Sequence, residues 1–170
     1  QAWNDFEESL GECTSRRGGT ALRTDETSAT GAYCVQTGGN STFLTFRPFD
    51  VREYPIVSFD YRLPIGSQTN LMARTENVNW SIGFAGDATR SPTSTPLATL
   101  ENIQADGEWH RAEFNLFEIL RQAGQTTENF TVDHIATTGS RGRFGNAGSR
   151  CWFDNFCVSS REESSPSFEW

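Results

Sequence analysis

The stretch Arg150-Cys151-Trp152-Phe153-Asp154-Asn155-Phe156-Cys157-Val158 decides how the rest of the chain is read. Aromatic and β-branched residues dominate it, which predicts a pleated and largely buried strand. An Asp-Asn pair interrupts that run at Asp154 and Asn155. Burying an unpartnered carboxylate is costly or forces it to take up a proton, so Asp154 is expected to face a cation, a group of hydrogen-bond donors or a strand edge. Two cysteines flank the same run, which makes it a central strand to which other parts of the chain are tied.

The four cysteines, Cys13, Cys34, Cys151 and Cys157, show neither CxxC nor zinc-finger spacing. They read as two disulfides formed in an oxidising compartment, the alternative being four buried thiols in a cytosolic protein. Cys151 and Cys157 are six residues apart. That is roughly 20 Å along an extended strand, far beyond the Cα separation of about 4.4–6.8 Å that a disulfide allows. Each is therefore expected to reach Cys13 or Cys34, in either pairing.

With 170 residues the chain is long enough for one domain with a real core and too short for two comfortable ones. Fourteen basic against 22 acidic residues give a net charge of −8 and a pI near 4.7, which argues against nucleic acid or an anionic membrane as partner. Every basic residue is Arg, so Schiff-base chemistry and the phosphate-loop lysine are excluded. His110 and His134 are the only histidines, which excludes a multi-histidine metal centre. No run approaches the roughly 18 apolar residues of a membrane span, and the first residues do not resemble a leader, so a soluble, exported and processed protein is expected.

Taken in order, Trp3 to Ser9 carries Asp5 and Glu7 two residues apart, so that in an extended segment both carboxylates face one side. Residues 10–31 lack periodicity and read as loop. Strands are predicted at Gly31–Thr37, Ser41–Phe49 and Tyr54–Leu63, the last with Val57, Phe59 and Tyr61 alternating with Ser58, Asp60 and Arg62. Asn70–Thr75 and Asn79–Ala85 read as a hairpin, and 86–99 as a long surface loop. Trp109–Leu116 is a further strand. Asn115 followed by Glu118, with Gly124 as a stop, predicts one helix over Leu116–Ala123. Phe130–Thr138 and the stretch from Cys151 complete the strands, and 161–170 has linker composition, so the domain is expected to span 1–160 within a longer parent protein. Eight or nine short strands, turns at about ten-residue intervals and one small helix predict an all-β fold, a jelly-roll β-sandwich of two antiparallel sheets.

Asp5-Phe6-Glu7, Val57-Ser58-Phe59-Asp60-Tyr61-Arg62, Asp106-Gly107-Glu108-Trp109-His110 with Phe114-Asn115-Leu116, and Trp152-Phe153-Asp154-Asn155-Phe156 together resemble the jelly-roll carbohydrate-binding modules found beside secreted glycan-degrading enzymes. The resemblance covers nearly the whole domain. It implies a structural calcium held by Glu7 and Asp154, with Asp5 as a third ligand, and by several backbone carbonyls. An ion of that kind takes six to eight oxygens and would neutralise an aspartate set in an apolar strand. The jelly-roll order would place the strands around Cys34, Cys151–Val158, Val57–Tyr61 and Arg111–Leu116 in one sheet, favouring a disulfide between Cys34 and the last strand. The other sheet would hold those around Leu44, Met72, Ser81 and Ile135, with Leu44, Phe46, Ala73 and Ile135 turned to the core.

The outer face of that second sheet would then show Phe43, Thr45, Arg47, Met72, Arg74 and His134, the face that serves as glycan groove in many such modules. Sugar recognition needs an aromatic ring against C–H faces and planar polar side chains for hydroxyls. Trp80 is the leading platform, with the core as its other possible place, while Trp109 is read as core. The ligand-binding candidates are thus Phe43, Arg47, Arg74, Trp80 and His134, with arginines suited to an acidic sugar. No G-x-S-x-G setting or oriented histidine points to catalysis. The chain reads as a non-catalytic, extracellular module that binds a polysaccharide or oligosaccharide and tethers a linked catalytic or other domain, with a protein-binding or spacer module as the alternative.

Overall fold

A computed structural model describes residues 2–11, 13–15, 20–38, 41–45, 47–76, 78–85, 94–124, 130–139 and 150–160. The expected linker at 161–170 and the core position Phe46 lie outside the described residues. In chain order the strands are β1 (Ala2–Asn4), β2 (Thr14–Ser15), β3 (Thr20–Thr24), β4 (Cys34–Gly38), β5 (Ser41–Thr45), β6 (Phe49–Asp50), β7 (Ile56–Arg62), β8 (Thr69–Thr75), β9 (Val78–Gly83), β10 (Thr95–Thr99) and β11 (Trp109–Asn115). Among the described residues one helix, α1 (Leu116–Gln122), precedes β12 (Thr131–Gly139) and β13 (Cys151–Ser159).

These strands form two sheets. The first runs β11-β7-β13-β4-β3, with β1 also paired to β13; the second runs β10-β9-β8-β12-β5-β2, with β6 on β12. The eight principal strands therefore follow the jelly-roll order 4-13-7-11 and 5-12-8-9, each next strand in the chain falling in place to build a Greek-key double sheet. Three expectations are corrected. The segment read as a long loop at 86–99 contains β10, which pairs with β9 in parallel, Thr95 opposite Trp80, so the second sheet is mixed rather than wholly antiparallel. Residues 10–31 contain β2 and β3, whose small and polar residues hide the alternation that marks a strand. The predicted strand from Ser41 to Phe49 ends at Thr45.

β13 resolves the conflict in its own sequence with a bulge. Asp154 stands opposite Asp60 and Cys157 opposite Ser58, so Asn155 and Phe156 together face Phe59. Asn155 adopts φ 47°, a left-handed conformation that asparagine tolerates better than most residues. The extra residue lets both Phe153 and Phe156 enter the core while Asp154 points to the outer face. Phe59 collects the result, lying 5.5 Å from Phe153, 5.6 Å from Phe84 and 6.1 Å from Phe156 between ring centroids, the last pair stacked at 12°. Edge-to-face and offset contacts of this kind add to the apolar area removed from water.

The helix begins as its sequence predicts. The Asn115 side chain accepts from the Glu118 N–H at 2.9 Å, and Gly124 takes φ 75° after the last turn. Leu116 and Leu120 are buried beneath it. None of the described helices is long and apolar enough to cross a membrane.

Because Phe59 packs against four other aromatic rings, Phe59→Ala should cost about 3–5 kcal/mol, measured as a lower urea midpoint with little change in slope.

Candidate functional site

Strand register defines the outer face of the second sheet. Leu71, Ala73, Trp80, Ile82 and Ile135 belong to the core, so their neighbours Asn70, Met72, Arg74, Asn79, Ser81 and Ala136 lie on the opposite face. Cross-strand pairing arranges these in rows: Phe43, Ala136, Met72 and Ser81 in one, His134, Arg74 and Asn79 in the next, Thr138, Asn70 and Gly83 in a third. Four expected residues thus come to one surface by register, namely Phe43, Met72, Arg74 and His134. Phe43 is the one aromatic residue whose position falls on that face among the described residues. Arg74 Nε lies 3.7 Å from Asp133 Oδ2, each side chain 41% exposed. That separation makes an ion pair but no hydrogen bond.

Two other members leave the face. Trp80 is only 8% exposed and packs in the core, its indole N–H donating to Thr75 Oγ1 at 2.8 Å. Sharing a strand face with Ile82 and Phe84 decided its side, so it is no platform for a ligand. Arg47 lies beyond the end of β5, exposed in the bend that follows, and Thr45 is buried opposite Ile135 at a register shift.

The first sheet carries a different arrangement on its outer face, where residues 25–33 pack over the strands. The Asp154 carboxylate, fully buried, accepts three backbone N–H bonds: Oδ2 from Ala29 at 3.0 Å and Thr30 at 3.1 Å, Oδ1 from Asn155 at 2.8 Å. Glu7 Oε1 accepts from Ala32 at 2.8 Å and Tyr33 at 2.9 Å. Consecutive amides of one loop thus hold a carboxylate from each end of the chain. Gly31, at φ 64°, sits between the two amide pairs, and a Cβ there would collide with the Glu7 carboxylate. Burial raises the Asp154 pKa, the three N–H bonds partly offset this, and Asp60 opposite adds to the rise. Asp60 is itself held by Asn155 Nδ2 at 2.7 Å. Trp109, expected in the core, belongs to this outer layer and donates to Thr27 Oγ1 at 2.9 Å, because Ala112 and not Trp109 takes the inward phase of β11.

The donor set does not fit the calcium ion that the resemblance implies. Asp154 and Glu7 do meet the same loop, but the groups turned toward them are N–H donors rather than carbonyl oxygens. Asp5 accepts from the Glu7 N–H at 3.1 Å, closing its own turn. Among the described residues no three acidic, histidine or cysteine side chains converge to hold a metal.

The disulfide expectation is also corrected. All four cysteines are buried free thiols. β4 does neighbour β13, but Cys151 pairs with Thr37 and Phe153 with Val35, so continuing the register sets Cys34 beside Asp154, about 10 Å along the strand from Cys151. No disulfide spans that distance. Its Sγ instead donates to the Thr27 carbonyl at 2.9 Å. Burial pushes Cys13 and Cys151 up to about 12, and burial with the Asp154 charge does the same for Cys34. The inference of an oxidising compartment loses its support with the disulfides.

Sequence reading did not foresee a cleft of about 400 Å³ beside the edge strand β11, lined by Glu101, Asn102, Arg111, Glu113 and Phe114 among others. It forms between β11 and the loop after β10, a strand hidden in a Pro-, Ser- and Thr-rich segment, so no local pattern announced it.

No family model matches the sequence, and no curated protein matches it. Solved structures do match. A xylan-binding domain of carbohydrate-binding family 22 superposes with a TM-score of 0.53 at 11% identity, covering 95% of this chain and 96% of that one. The C-terminal family 22 module of Clostridium thermocellum Xyn10B gives 0.52 at 11% identity over 95% of each chain. The first family 22 xylan-binding domain of Paenibacillus barcinonensis Xyn10C gives 0.50 at 14% identity, covering 94% and 95%. The chain shares with these modules the β-sandwich fold over nearly its full length.

Two measurements check the geometry. Thiol titration should find essentially no reactive cysteine in native protein near pH 8, because the three shifted thiols stay protonated and buried, and four after unfolding without reductant. Gly31→Ala should destabilise the protein by about 2 kcal/mol or more, combining left-handed strain with loss of the Glu7 seat.

Proposed function

We propose that the chain is a non-catalytic carbohydrate-binding module that holds a polysaccharide on the outer face of the second sheet and keeps a linked domain near its substrate. The observation that carries this reading is the register that gathers Phe43, Met72, Arg74 and His134 on one sheet face, in a fold shared with modules described as xylan-binding. A xylan is accordingly the first ligand to test.

The chemistry of the face suits an extended chain of sugar rings. Arg74 offers forked donors to vicinal hydroxyls or to a uronate, Asn79 offers an amide, and Met72 offers apolar contact to C–H faces. With Trp80 in the core, no described side chain of the face is a tryptophan or tyrosine, so stacking contributes little and affinity should be modest. A modest contact is enough for a tether, since linkage raises the effective concentration of the second domain at the polymer. Extracellular location and the linked domain belong to this same reading.

Affinity electrophoresis and calorimetry on the 170-residue chain, against xylans and a panel of neutral and acidic polysaccharides, test the proposal. Arg74→Ala should weaken any binding by about tenfold, near 1.4 kcal/mol. Trp80→Phe should leave affinity unchanged while costing about 1 kcal/mol of stability through the lost bond to Thr75. Folded protein that ignores every polysaccharide would shift the role to protein contact or spacing.

A further inference from the structure

We propose that Arg23 does in this chain what a structural calcium ion was expected to do, closing the N-terminal turn onto the 25–33 loop so that the fold needs no divalent cation. The proposal is independent of the glycan reading and rests on how the oxygens around the turn are used.

Calcium needs six to eight oxygens converging on one point, some of them backbone carbonyls. The carbonyls of the turn are already taken. Arg23 Nε donates to the Phe6 carbonyl at 2.7 Å, and Arg23 Nη2 donates to the Glu7 carbonyl. The planar fork suits two adjacent carbonyls. The same guanidinium lies over the Tyr33 ring, its Cζ 3.4 Å from the centroid, a cation–π contact with the residue whose amide helps hold Glu7. One side chain therefore joins the turn at residues 6–7 to the end of the loop.

Both oxygens of Asp154 and Oε1 of Glu7 are engaged in the matching sense. Five amides, of Ala29, Thr30, Ala32, Tyr33 and Asn155, donate to Asp154 and Glu7. Their positive ends point where a cation would have to stand, and they satisfy the anions by donation instead. Phe6, at φ 61° and wholly buried, fixes the carbonyls in the direction of Arg23. Carbonyls met by a guanidinium, and carboxylates met by amides, leave a divalent ion neither its ligands nor its place.

Thermal unfolding of the full chain tests this. After dialysis against EDTA, and again with about 5 mM calcium, the wild-type midpoints should agree within about 1 °C. Arg23→Met keeps much of the apolar stem and removes the fork, and should lower the midpoint by about 5 °C or more in both buffers. Arg23→Lys, which keeps the charge without the paired donors, should fall between the two. If Arg23→Met does not accumulate as folded protein, the wild-type comparison and Arg23→Lys carry the decision. A saturable rise of several degrees with calcium, or calorimetric uptake of about one ion per chain, overturns the proposal, and so does an Arg23→Met or Arg23→Lys midpoint equal to wild type.

Discussion

A carboxylate with no exposed surface organises this molecule. Asp154 sits at the centre of the last strand, fully buried and reached by three amides. Leaving such a group unpartnered would be strongly destabilising, so the chain must bring donors to it. The donors come from a loop more than a hundred residues earlier, and the loop in turn holds Glu7 from the N-terminal turn. The first turn, the loop before β4 and the strand at the far end of the fold are thereby made one unit, and the bulge at Asn155 that turns Asp154 outward also seats Phe156 against Phe59.

That unit makes the two outer faces of the sandwich unlike one another. Over the first sheet the 25–33 loop meets Asp154 and Cys34, and Ser58 and Cys157 on the same face are also nearly inaccessible. A surface so covered is committed to stability. The second sheet presents Met72, Arg74 and His134 in adjacent rows with intermediate exposure. Binding chemistry can reside there because the fold is held elsewhere, and substitutions on one face should leave the other largely undisturbed.

The buried thiols follow from the same architecture. Strand pairing brought β4 beside β13 as the jelly-roll order requires, yet register placed Cys34 against Asp154 instead of either cysteine. Adjacency of strands is a matter of topology, whereas a disulfide is a matter of a few ångströms along them. The Trp80 outcome has a similar cause. Its strand alternates cleanly, and a period of two says which residues share a face but not which face is inside.

By itself the sequence determined most of the strands, the helix with its Asn115 cap and the need for a partner at Asp154, because alternation, capping chemistry and the desolvation of a charge are local and strong. It also placed Phe43, Met72, Arg74 and His134 on one face. Only the tertiary structure decided what met each of these demands. It brought loop amides to Asp154, put Trp80 in the core and Trp109 outside it, kept the cysteines apart, and made a strand of the segment at Thr95–Thr99. Those outcomes depend on register, phase and long-range pairing, which are fixed by the sum of contacts between segments distant in the chain and leave no mark on any one of them.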